Sequence, residues 1–199
     1  MTINKLAVIG GGAWGTALAQ VAAAKGDEVL LWALEDDVVS AVNNIHENPL
    51  YLKGLKLAPQ IRATANMADL AAMDALLVVT PAQHMRAVLD RLPNKNIPLI
   101  LCSKGIEDKS GLCLHQVAHD ICPSAPIAVL SGPTFAHEVA AGLPTAVTLA
   151  CDDATLAKAL VARLALPTFR PYYSDDVTGA EIGGAVKNVL AIACGVVDG

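Results

Sequence analysis

LAVIGGGAWGTALAQ, residues 6–20, decides the fold. Its first four residues are apolar without alternation, the pattern of a strand covered on both faces in a parallel sheet. Gly10-Gly11-Gly12-Ala13-Trp14-Gly15 then spell G-x-G-x-x-G, and an Ala-rich helix candidate, 14–25, follows. In such a turn Gly10 permits the tight bend and Gly12 lets the backbone approach a pyrophosphate. Gly15 allows close packing of helix on strand. Free N–H groups and the helix dipole at that point favour an anion. Glycine-rich turns also serve packing alone, but here strand, glycines, helix and a second strand, EVLLWA (28–33), occur in the required order. Dinucleotide binding is therefore expected.

The end of that second strand bears on which dinucleotide. Glu35 lies 20 residues after Gly15, near the offset of the acid that bonds the adenosine ribose. Asp36 and Asp37 follow with no adjacent Arg or Lys, so a 2′-phosphate would meet negative charge. The same acids also suit the N-terminus of a helix over 36–46, and both readings stand.

Further strand-length apolar runs lie at 75–80, 98–103, 127–131 and 145–150. Helix candidates over 66–72, 83–92, 112–121, 134–141 and 153–164 separate or follow them. Strand then helix, repeated, predicts an α/β fold with a Rossmann-type doubly wound, mostly parallel sheet. Two segments break the alternation. Residues 47–62, with two prolines and a glycine, read as an ordered loop or excursion, and 167–176 as a short strand-like segment flanked by prolines and acids. Residues 178–197 then read as one long helix of small and apolar residues. The expected division is a dinucleotide-binding domain over 1–177 and, over 178–199, the first helix of a second, helical domain. A helix apolar on nearly every side needs partners, so the chain is expected to lack the rest of that domain.

Composition excludes several classes. Apolar residues make up 54% and charged residues 17%, which supports a large core and not disorder. The net charge of −5, without a basic cluster, leaves no footprint for nucleic acid. No apolar stretch reaches the ~18 residues of a membrane span, and the run after Lys5 is shorter than the ~7–15 residues of a signal-peptide core. No membrane insertion and a cytoplasmic location are expected. Five widely spaced cysteines without C-x-x-C argue for reduced thiols. His115 and His119, four apart, lack a third ligand in sequence, so no metal is expected. Ser131 lies in SGP and not in a nucleophile elbow.

Five segments carry a closer resemblance: VIGGGAWGTALA (8–19), HENPLYLKGLKL (46–57), SKGIED (103–108), SGPTFAHEVAAGLPTAV (131–147) and GAEIGGAVKNVLAIACGVVDG (179–199). Together they resemble the NAD(P)-dependent glycerol-3-phosphate dehydrogenases over nearly the whole chain. The resemblance implies interconversion of sn-glycerol 3-phosphate and dihydroxyacetone phosphate by hydride transfer with NAD or NADP. It implies that Gly10, Gly12, Ala13, Trp14 and Gly15 hold the cofactor, with Leu34 by the adenosine, His84 bordering the cleft and Ala136 near the nicotinamide. Lys104 would touch substrate and cofactor, Gly132 and Thr134 would line the substrate pocket, and Lys187 would be the catalytic lysine with Asn188 beside it. Leu34 stands where many bacterial members carry a basic residue, which together with Glu35 favours NAD slightly over NADP. The implied partners are a small phosphorylated substrate and, through the missing domain, a second copy in a homodimer.

The residues themselves suit that chemistry. Hydride transfer belongs to the nicotinamide, while the protein supplies position and a proton carrier. Burial or a nearby cation draws a lysine's pKa towards neutrality, as general acid–base catalysis needs, and Lys187 lies on an apolar helix. A lone lysine there more often snorkels to water. Lys104 follows a strand end, where open α/β sheets place ligand-binding residues. Two other readings remain from sequence: a nucleotide-sensing module without chemistry, and a related dehydrogenase for another small hydroxy acid.

Overall fold

The computed structural model describes residues 2–198, apart from the side chains of Asn188 and Asp198. In chain order the elements are β1 (Leu6–Ile9), α1 (Ala13–Ala23), β2 (Val29–Trp32), α2 (Asp36–Ile45), β3 (Glu47–Asn48), β4 (Leu52–Lys56) and β5 (Ile61–Thr64). After a 3-10 turn at Met67–Ala72 come β6 (Ala75–Val78), a second at Ala82–His84, α3 (Met85–Asp90), β7 (Leu99–Leu101), α4 (Leu114–Ile121) and β8 (Ile127–Ser131). The chain continues through α5 (Ala136–Ala140), β9 (Thr145–Cys151), α6 (Ala154–Leu164), β10 (Phe169–Ser174) and α7 (Val177–Asp198).

One sheet of eight strands, ordered β10-β9-β8-β7-β6-β1-β2-β5, organises the molecule. From β5 to β8 all neighbours are parallel, whereas β9 is antiparallel to β8 and β10 is parallel to β9. The expected doubly wound, mostly parallel α/β sheet is thus present. Its strands lack alternation because both faces are covered. Leu6 and Val8 of β1 enter one core with Leu18, Leu31, Leu77 and Leu160, and Ala7 and Ile9 enter the other with Leu76, Val78, Met85 and Leu99. Each fully buried leucine contributes roughly 1.5–3 kcal/mol.

The departures from expectation are local. Residues 47–62 are more than an excursion: β3 and β4 form an antiparallel hairpin, and Ile61 begins β5, which pairs with β2 at the sheet edge. The strand was hidden because an edge strand buries only one face, and Ile61 and Ala63 are its inward pair. The helix expected over 66–72 is 3-10 throughout, with Asn66 capping it through Ala68 N–H. The one expected over 83–92 is a 3-10 turn followed by six α-helical residues. The segment 167–176 supplies β10.

Topology then dictates where a ligand can sit. The chain leaves β1 towards β2 on one side and later returns to β6 on the other, so a crevice opens beyond the carboxyl ends of β1 and β6. No single helix among the described residues is long and apolar enough to cross a membrane.

Candidate active site

Beyond those strand ends lies a cleft of about 640 Å³, walled by the glycine turn, Trp32, Leu34, Glu35, Tyr51, Thr80, His84, Lys104, Thr134 and Ala136 among others. The glycines have distinct reasons for being there. Gly10 has φ +125°, and a Cβ on it would stand 2.8 Å from the Val79 carbonyl oxygen. A Cβ on Gly15 would lie 1.9 Å from the Gly10 oxygen, inside van der Waals contact. Gly12 differs: it is the N-cap of α1, has ordinary φ of −67°, and a Cβ there would meet nothing within 4 Å. No protein packing demands glycine at that position. The open space over Gly12, in front of the first N–H groups of α1, is a cradle of the kind a pyrophosphate fills.

The hairpin locks this turn from outside. Asn48, fully buried, donates through Nδ2 to the Gly11 carbonyl at 2.7 Å and to Thr16 Oγ1 at 2.8 Å. It also accepts from the Tyr51 N–H at 3.2 Å. Tyr51 in turn donates its hydroxyl to Glu35 at 2.7 Å, and the carboxylate beside it raises the tyrosine pKa. Glu35 is therefore held at the cleft wall beside the exposed Leu34. Trp14 Nε1, Thr80 Oγ1 and Thr134 Oγ1 are buried yet have no hydrogen-bond partner among the described residues. All three residues line the cleft. Orphaned buried polar atoms are uncommon, and three on residues around one cleft fit a polar ligand lying there.

At the far end stands Lys104, on the loop after β7. Its Nζ donates to the Gly132 carbonyl at 3.2 Å. Burial first, and then the neighbouring charge of Lys187, bring its pKa down from 10.5 to about 8. Its loop is anchored by a buried carboxylate. Arg86 of α3 meets Glu107 with two nitrogens at 2.9 Å each, and Ser110 Oγ donates to the same group at 2.6 Å. The guanidinium and the hydroxyl hold Glu107 down to about 2. Ser103 Oγ donates to the Thr80 carbonyl at 2.5 Å, tying this loop to the end of β6.

The helix α7 closes that end. A Cβ on Gly184 would lie 2.7 Å from Ser131 Oγ and 3.8 Å from Lys104 Cγ, so glycine lets the helix axis approach. Lys187, half-buried, then stands beside Lys104. Of the expected site residues, Gly10, Gly12, Ala13, Trp14, Gly15, Leu34, His84, Lys104, Thr134 and Ala136 wall this cleft. Gly132 and Lys187 adjoin it through Lys104 and are not part of its wall. The Asn188 side chain lies outside the described residues. The sequence left Asn48 and Tyr51 out of the site, although both lie in the segment HENPLYLKGLKL that carries part of the family resemblance.

Residues 5–157 match the sequence profile described as NAD-dependent glycerol-3-phosphate dehydrogenase N-terminus, and 176–199 match its C-terminus counterpart. The chain belongs to the NAD-dependent glycerol-3-phosphate dehydrogenase family. It is 63% identical over 195 residues to a relative from Erythrobacter litoralis named glycerol-3-phosphate dehydrogenase (NAD(P)+), covering 98% of this chain and 59% of that one. A relative of the same name from Paramagnetospirillum magneticum is 54% identical, over 99% of this chain and 73% of that one. The crystal structure of glycerol-3-phosphate dehydrogenase from Coxiella burnetii superposes with a TM-score of 0.91 at 38% identity, covering 98% of this chain and 61% of that structure. The chain thus spans about three-fifths of the length of several of these family members.

Proposed function

We propose that this chain is the cofactor-binding part of an oxidoreductase that interconverts sn-glycerol 3-phosphate and dihydroxyacetone phosphate with NAD or NADP. One observation carries the reading: a cleft whose glycine cradle is open at Gly12 ends at a pair of lysines, Lys104 and Lys187. Family membership and the names of the relatives support it. Residues 1–177 are read as the dinucleotide domain and α7 as the opening of the second domain.

The residues divide the work. The N–H groups at the start of α1 and the bare backbone of Gly12 would hold the pyrophosphate. When bound, the nicotinamide supplies or accepts the hydride. Lys187 Nζ takes the proton from the alcohol oxygen in the oxidative direction and returns it to the ketone oxygen in the reductive one. Lys104 keeps a cation near that oxygen and the phosphate, and a pKa of about 8 leaves it mostly charged near neutrality. The Glu35 carboxylate at the ribose end favours a free 2′-hydroxyl over a 2′-phosphate, hence NAD.

The test uses the full-length polypeptide with dihydroxyacetone phosphate and NADH, following loss of nicotinamide absorbance. Turnover is expected, and Lys187→Ala should lower kcat on the order of 100-fold or more, as removal of a general acid does. No turnover with any phosphorylated triose, or full turnover by the alanine variant, overturns the reading.

A further inference from the structure

The helix that carries Lys187 has its own anchor, one the chemistry above does not use. Glu181, on the second turn of α7, is buried at 7% exposure although it is a carboxylate. Its Oε1 accepts the backbone N–H of His115 at 2.9 Å, and its Oε2 lies 2.6 Å from His115 Nδ1. Burial raises the Glu181 pKa, and in its ionised form the carboxylate only accepts, which requires the ring N–H of His115 at Nδ1. His115 is in the first turn of α4, where N–H groups are otherwise unpaired and negative charge is favoured. Glu181 therefore joins α7 to a different element, across 66 residues of sequence. The side-chain bonds at the start of α7, from the Gly179 N–H to Asp176 and from the Asp176 N–H to Ser174, reach only the residues just before the helix and cannot set its rotation.

Glu181, Gly184 and Lys187 are spaced three apart and share one side of the helix. They meet in turn the α4 terminus, Ser131 with Lys104, and Lys104. Beyond them Val189, Leu190, Ile192, Val196 and Val197 are exposed. We propose that Glu181 is a positioning residue: by gripping the first turn of α4 through His115 it sets the rotation of α7 and so keeps Lys187 beside Lys104. This rests on the reading of Lys187 as the proton carrier.

The same cluster, with Cys113, brings three metal-ligating residue types within 4.8 Å of one another. The carboxylate is nevertheless already spent on two N–H donors at the positive end of a helix, where a divalent cation is disfavoured. A latch accounts for both carboxylate oxygens of Glu181, whereas a metal would have to displace the hydrogen bond that joins His115 to Glu181.

The experiment compares Glu181→Ala, Glu181→Gln, His115→Ala and Lys187→Ala in the full-length polypeptide. Steady-state kinetics are combined with a ¹³C-lysine NMR titration of Lys104. The latch predicts that Glu181→Ala lowers kcat on the order of 10–100-fold, the cost of slight misplacement of a reacting group. KM for NADH should stay within about twofold, because the cofactor cleft is built from other elements. Glu181→Gln, which keeps the bond to the backbone N–H, should recover part of the loss. The Lys104 midpoint should rise above about 8 in Glu181→Ala, since Lys187 no longer stands beside it and burial alone remains, with Cys102 the other titratable neighbour. Should Glu181→Ala not fold, His115→Ala decides, because it removes only the ring bond. Full kcat and an unmoved Lys104 midpoint in a folded latch variant overturn the proposal, as does activity lost to a chelator and restored by zinc. Unimpaired turnover by Lys187→Ala instead overturns the role of that lysine, which separates the two failures.

Discussion

At the scale of single residues, glycines in one motif answer to different forces. Gly15 is demanded by packing, because any side chain there would enter the Gly10 carbonyl. Gly12 has free space on its Cβ side and an ordinary backbone angle, so neither packing nor strain demands it, and beyond its place as N-cap of α1 what needs it bare is a ligand. The two substitutions should therefore separate. Gly15→Ala is expected to cost about 1–3 kcal/mol of stability or more through overpacking. Gly12→Ala should leave the thermal midpoint within about 2 °C of the parent, as surface-like substitutions do. It should nonetheless weaken NADH binding on the order of tenfold or more through steric exclusion from the cradle. Calorimetry for stability and quenching of the cleft tryptophans for binding check both. Equal effects of the two variants on stability would show that the space over Gly12 belongs to the fold. The G-x-G-x-x-G pattern was legible in sequence, but this division of labour was not, since it depends on what faces each Cα.

Among elements, the loops are held by buried polar groups that periodicity does not reveal. The β3–β4 hairpin grips the glycine turn through Asn48, and α3 grips the Lys104 loop through Arg86 and Glu107. Glu107 titrates at about 2 in the fold, below its ordinary 4.5. A depressed carboxylate contributes its stabilisation fully above the unfolded value and loses it as pH falls through the folded one. Glu107→Gln should thus be less stable than the parent at pH 6, and the gap should close progressively between about pH 4.5 and 2. Thermal denaturation of both proteins across that range checks it, and a gap independent of pH would refute it. In sequence Arg86 and Glu107 are 21 residues apart on a helix and a loop, with nothing to pair them.

For the molecule as a whole, the feature that stands out is the uncovered second half of α7. Ile192, Val196 and Val197 are 69%, 76% and 84% exposed, against cores in which leucines are wholly buried. Contiguous exposed apolar surface of this kind marks an interaction site. The chain 1–199 should bind a hydrophobic dye such as ANS and associate at high concentration. Ile192→Lys combined with Val196→Glu should abolish both without lowering the thermal midpoint. Sedimentation and dye fluorescence decide the matter, and a monomeric, dye-free parent chain would refute it.

By itself the sequence determined the doubly wound sheet, the glycine turn and the candidate lysine. The first two rest on local pattern, apolar runs of strand length and glycines at fixed spacing, whereas Lys187 is singled out by the family resemblance. Tertiary structure alone decided that β5 completes the sheet edge, that Asn48 locks the turn, and that Lys104 and Lys187 share a charge environment. Contacts such as Glu181 with His115 join residues 66 apart, and a pattern read along the chain is blind to neighbours that only folding creates.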